Sequence, residues 1–159
     1  MPEQTIQSQL TYPLDNDAVK IVERQVLATK WPQTRWSNVG RLYAIKVIDD
    51  TTTLTTGDGK IIFPIPLELD NTLVIAVTAF VSTVSSSGAI TVQIRNVTDS
   101  VDLLSTVLTI DASEFDSYTA TSAVITFANA QLSKSDRIAI DVDGAGTGAK
   151  GLSVILSIQ

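Results

Sequence analysis

Residues 138–158 read Ile138-Ala-Ile-Asp-Val-Asp143, then Gly144-Ala-Gly-Thr-Gly-Ala-Lys-Gly151, then Leu152-Ser-Val-Ile-Leu-Ser-Ile158. Side chains alternate across a β-strand, so Ile138, Ile140 and Val142 share one face of the first segment. Leu152, Val154, Leu156 and Ile158 likewise share one face of the second. Two half-buried strands divided by a glycine-rich break are predicted. The same period recurs upstream, where Ile90, Val92 and Ile94 alternate with Thr91, Gln93 and Arg95. Between Leu73 and Val81 both faces are largely apolar, Leu73, Ile75, Val77, Ala79 and Val81 on one and Val74, Ala76, Thr78 and Phe80 on the other. Such a strand is expected to lie centrally, between two layers.

Shorter pieces complete the pattern. Lys60–Phe63 follows the turn signal Asp58-Gly59, Leu108 and Ile110 precede a polar loop at 111–118, and Val124-Ile-Thr-Phe127 is apolar again. Thr51–Thr55 is a weak first strand, and Ala128–Leu132 suggests one helical turn. No stretch beyond residue 50 holds a period of about 3.6. About eight strands with turn signals between them define an all-β chain, an antiparallel β-sandwich whose favoured wiring is a jelly roll.

Charge divides the chain. Residues 1–60 hold equal numbers of basic and acidic side chains, so the whole net charge of −6 falls in residues 61–159. Both tryptophans, Trp31 and Trp36, and two of the three tyrosines, Tyr12 and Tyr43, lie in the neutral part. Residues 1–50 are therefore read as an N-terminal arm or small assembly segment and residues 51–159 as the sandwich. Asp15 or Asn16 could cap a short helix through Ala18, Val22 and Val26, although the β-branched residues there favour a strand. Arg41–Ile48 alternates as a strand would.

Composition removes many activities. There is no Cys and no His, which excludes disulfides, thiolate and imidazole metal ligands, cysteine nucleophiles and histidine-dependent triads. The net negative charge argues against nucleic acid as a partner. The longest apolar run, Leu73–Val81, is far shorter than the roughly 18 residues of a membrane span. Met1–Gln4 opens no basic-then-apolar leader, so synthesis in a cytoplasm is expected.

Individual motifs read blandly. In the glycine-rich stretch Lys150 is followed by Gly151 rather than Ser or Thr, and a strand rather than a helix comes next, so a hairpin loop is expected rather than a phosphate cradle. Asp141 and Asp143 fall on one exposed face by alternation, where they could share a weak cation, but the position corresponding to an EF-hand's closing Glu is Leu152. No metal or cofactor site is assigned. Four Glu residues (Glu3, Glu23, Glu68 and Glu114) offer no recognisable carboxylate pair for glycoside hydrolysis. Asn96-Val-Thr98 matches a glycosylation sequon as a chance occurrence. Trp31-Pro-Gln-Thr-Arg-Trp36 could bury in a partner, since Trp and Arg anchor interfaces, or could cover the base of the sandwich.

The blocks Leu54-Thr-Thr-Gly-Asp-Gly-Lys60, Phe63-Pro-Ile-Pro66, Gln93-Ile-Arg-Asn-Val-Thr-Asp99, Leu103-Leu-Ser-Thr106, Leu108-Thr-Ile-Asp111 and Ile138-Ala-Ile-Asp-Val-Asp143, in this order, resemble a family of tailed-bacteriophage virion structural proteins. The likeness spans about residues 51–159. It implies a capsid decoration (cement) protein, a non-enzymatic jelly-roll knob, commonly a homotrimer, carried on the outer capsid surface and attached to the major capsid protein by an N-terminal segment. On that reading Trp31, Arg35, Trp36, Arg41 and Tyr43 are the candidate capsid contacts. The alternative is a tail-tip or fibre module that recognises a host-surface glycan or protein through a loop such as 111–122, where Phe115 and Tyr118 are the available aromatics.

Overall fold

The computed structural model describes residues 41–159. Among them eleven strands follow in order: β1 (Arg41–Thr53), β2 (Gly57–Pro64), β3 (Thr72–Thr83), β4 (Ile90–Asn96), β5 (Val101–Asp102), β6 (Leu104–Thr106), β7 (Leu108–Ile110), β8 (Val124–Ile125), β9 (Gln131–Leu132), β10 (Arg137–Ala145) and β11 (Lys150–Ile158). Single 3-10 turns occupy Leu67–Leu69 and Phe127–Asn129. The expected helical turn thus starts one residue early, and Gln131–Leu132 becomes a strand instead.

Two sheets form, ordered β1-β11-β3-β9 and β2-β10-β4-β5, with β7 also on β4 and a separate β6-β8 ribbon. Every pairing is antiparallel. The pairs nest: β1 with β11, β2 with β10, β3 with β9, β4 with β5. That is a long hairpin rolled up on itself, the jelly-roll wiring. The core is the meeting of the two inner faces: Leu152, Val154, Leu156, Ala79 and Val81 from one sheet against Ile90, Val92, Ile94, Ile138, Ile140 and Val142 from the other.

Three differences from the alternation pattern have physical causes. First, residues 41–50, assigned above to the arm, form the first ten residues of β1, and the compact unit begins at Gly40. Tyr43, Ile45 and Val47 pack on the core while Leu42, Ala44 and Lys46 face solvent, and Arg41 is exposed at the start of the strand, so neither cation is buried. Second, β3 lies inside its sheet, but only one of its faces is covered among the described residues. Its register with β11 passes from Ser157↔Ala76 to Ile158↔Val74, leaving Ile75 as an extra residue. The bulge turns Val74 into the core and puts Leu73 and Ile75 outside, where Phe80 also stands.

Third, residues 144–151 are not a hairpin loop. β10 and β11 belong to opposite sheets, so the glycine-rich segment is a corner between layers. Ser85 clamps it: this fully buried hydroxyl accepts from the Thr147 amide at 2.9 Å and lies 2.7 Å from the carbonyls of Ser87 and Gly88. The Ser86 amide donates to the Thr147 carbonyl at 2.9 Å, and the Thr147 amide to the Ser87 carbonyl at 2.9 Å.

Candidate functional site

Of the five candidate contacts, Trp31, Arg35 and Trp36 lie outside the described residues. Arg41 and Tyr43 sit two positions apart on β1, and so on one face. Arg41 is exposed and reaches the carbonyl of Glu68 at 3.4 Å. Tyr43 is half-buried and lines an apolar cleft of about 160 Å3 with Ile45, Phe63 and Leu69, at the open side between β1 and β2.

Asp141 and Asp143 do not form the exposed pair expected from alternation. Asp141 is buried: its carboxylate accepts from Arg95 Nε at 3.0 Å and from the Gly59 amide, so the start of β2 covers it. A register shift between Val142 and Gly144 leaves Asp143 outside. Among the described residues no group of three or more acidic side chains is placed to hold a metal ion. The Asp143 carboxyl is held above its ordinary range, first by partial burial and then by the charges of Asp141, Asp58 and Asp102. Ionised Asp143 therefore costs stability above its folded-state pKa and costs nothing once protonated. Asp143→Asn is expected to raise stability at pH 7 by under about 0.5 kcal/mol, since the group is largely solvated. The gain should vanish in urea melts below about pH 3.5.

The sequon asparagine is equally structural. Asn96 is 1% exposed, and its amide nitrogen donates to Asp99 at 2.8 Å and Asp136 at 3.0 Å. A glycan on that nitrogen would remove at least one of these bonds.

A second concavity lies at the opposite edge of β3 from β11. The segment around residues 115–117 closes on that edge: Ser117 N donates to the Ala79 carbonyl at 3.1 Å, Ala79 N to Ser117 Oγ at 3.1 Å, and Val81 N to the Phe115 carbonyl at 2.8 Å. Asp116 accepts from the Tyr118 amide at 3.0 Å, a local turn that directs the chain outward. Between this segment, β3 and β8 opens a groove of about 450 Å3. Buried Leu108 and half-buried Val77 and Ile125 form its floor. Tyr118 (75% exposed), Phe127 (70%) and Val124 (50%) stand at its rim. Hydroxyls of Thr78, Ser117, Tyr118 and Ser122 line it, and no acidic or basic side chain does.

Tyr118 was readable as a loop aromatic. Phe127 was not, because it closes an apolar run that alternation assigns to a strand, and only the folded topology brings it beside residues 75–78. Comparison with known proteins adds no identity: no family model, curated protein or solved structure matches the chain.

Proposed function

We propose that the chain is a non-enzymatic structural protein of a tailed-phage virion, a decoration protein that binds the assembled head shell and stabilises it. The observation that carries this reading is the ordered series of blocks between Leu54 and Asp143 described above. The jelly-roll knob and the acidic second part of the chain are compatible with it, since a surface bearing net charge of one sign keeps a protein dispersed at high local copy number. Fold alone would host many other roles.

On this reading the major capsid protein is the partner, neither nucleic acid nor membrane is engaged, and the aromatic N-terminal segment is the anchor. A homotrimer would place three anchors at one threefold position, where tethering raises effective concentration. The copy number in purified virions, relative to the major capsid protein, tests it. A ratio near parity supports shell decoration. A ratio far below parity overturns it in favour of the tail module, the reading that the Tyr118–Phe127 groove favours. In the full-length chain, replacing Trp31, Arg35 and Trp36 together by Ala should weaken shell binding at least about tenfold, with melting unchanged. Undiminished co-sedimentation with shells would remove the anchor assignment.

A further inference from the structure

We propose that the groove between β3 and residues 117–127 is a binding site for a neutral saccharide. The inference rests on the groove's own chemistry and holds whether the protein sits on a shell or a tail.

Charge comes first. In a chain of net charge −6 this concavity is lined by no acidic or basic side chain. An ionic ligand entering it would give up hydration and meet no counter-charge, which disfavours charged ligands. Next come the aromatics. Tyr118 and Phe127 remain 75% and 70% exposed, although each ring could contribute on the order of 25 cal/mol per Å2 if covered. Two large apolar side chains left out of a well-filled core, on the rim of one concavity, are a surface kept for something that covers them.

The polar groups narrow the class further. Ser117 Oγ accepts from Ala79 N, and its own proton has no acceptor among the described residues. The hydroxyls of Thr78, Tyr118 and Ser122 likewise have no partner among the described residues. A ligand that suits this lining has flat apolar faces for the rings and an edge of groups that both donate and accept. A sugar ring has that make-up: axial C–H faces and equatorial hydroxyls. The volume, about 450 Å3, falls within the range of about 300–1,000 Å3 typical of small-molecule sites.

An extended peptide is the natural rival at a sheet edge, because a bare strand accepts another by backbone pairing. This edge is covered on either side of the groove: Thr72 and Leu73 pair with β9, and Ala79 to Val81 are bonded to residues 115–117. The open stretch, Ile75–Thr78, is shorter than an ordinary strand of about 5–6 residues, so side chains supply most of the hold on a ligand.

The test uses the full-length protein on an array of neutral hexose and N-acetylhexosamine oligosaccharides printed beside sialylated and sulfated ones. Selective retention of neutral glycans is expected. Titrating the strongest neutral oligosaccharide into labelled protein should then shift the amide signals of Thr78, Ser117 and Tyr118. Tyr118→Ala and Phe127→Ala should each weaken binding about tenfold, the range of a lost ring contact, while melting stays unchanged because both rings are exposed. Absence of binding up to about 10 mM oligosaccharide would overturn the proposal. So would retention of anionic glycans alone, or affinity unchanged in both variants. Should Tyr118→Ala dissociate an oligomer while no glycan binds, the groove's occupant is a second copy and the proposal also fails.

Discussion

Gly151→Ala is expected to destabilise the sandwich by about 2–5 kcal/mol, a large part of the 5–15 kcal/mol that holds an ordinary domain together. Two independent effects add. Gly151 has φ +61°, the left-handed region, which costs a residue with a Cβ about 1–2 kcal/mol. A Cβ there would lie 2.5 Å from Ser82 Oγ and 2.7 Å from the Cα of Asp50. The hydroxyl can rotate away; the backbone cannot. Asp50 belongs to the bulged stretch of β1, since Ile48 pairs with Leu152 and the next register pair is Thr53 with Lys150. Its carboxylate is fixed by Lys46 and Ser82, which donate to it and hold its pKa below the ordinary range. Relieving the overlap means moving that whole assembly, an overpacking cost of about 1–3 kcal/mol. Gly148 provides the control. Its φ of +74° carries the same strain, yet a Cβ there meets nothing within 4 Å. Gly148→Ala should therefore lose only about 1–2 kcal/mol in urea melts. Equal losses for the two variants would show that β1 yields to the added methyl.

This pair also marks where sequence reading stops. Alternation located β4, β10 and β11 because each keeps an unbroken period of two over its buried face, Ile90–Ile94, Ile138–Val142 and Leu152–Ile158. It misplaced the faces of β3, because a single bulged residue, Ile75, exchanges inside for outside and nothing in Leu73-Val-Ile-Ala76 signals it. It placed the arm boundary by charge, whereas the boundary of the sheet is set by backbone pairing of Arg41–Lys46 with Ser153–Ile158, to which Arg41 and Lys46 are no obstacle on an edge. Asp141 looked solvated by alternation, but it is enclosed by β4 on one side and on the other by β2, whose Gly59 lies 82 residues earlier in the chain. The groove was legible in one residue, Tyr118. Its other wall depends on tertiary contacts between Ile75–Thr78 and Val124–Phe127 that no local pattern encodes.

Asn96→Ala is expected to cost about 2–4 kcal/mol, by a mechanism that a second substitution at the same position can isolate. Asn96 ends β4, buried, and its side chain is bonded at both ends: the carbonyl oxygen accepts from Thr98 N at 3.0 Å and Asp99 N at 3.3 Å, the nitrogen donates to Asp99 and Asp136. Asp136 is itself 6% exposed and also accepts from Ser133 N at 3.0 Å. One amide thus ties the turn after β4 to the turn before β10. Truncation to Ala strips a buried carboxylate of a donor and leaves two turn amides without their acceptor, each loss worth about 1–3 kcal/mol less whatever water recovers. Asn96→Asp keeps the shape and the two accepted bonds but turns the donor into a carboxylate facing Asp99 and Asp136. Its folded-state pKa must then lie above the unfolded value of about 3.9. The penalty is accordingly full above that folded-state pKa and shrinks as the introduced group is protonated, when its one O–H restores one of the two donated bonds. Between pH 7 and about pH 4 the stability gap between Asn96→Asp and wild type should narrow, while the gap for Asn96→Ala, which adds no carboxyl, narrows less. Parallel losses for both variants across that range would mean that the site tolerates a third carboxylate, and that shape rather than the donated hydrogen bonds holds the two turns together.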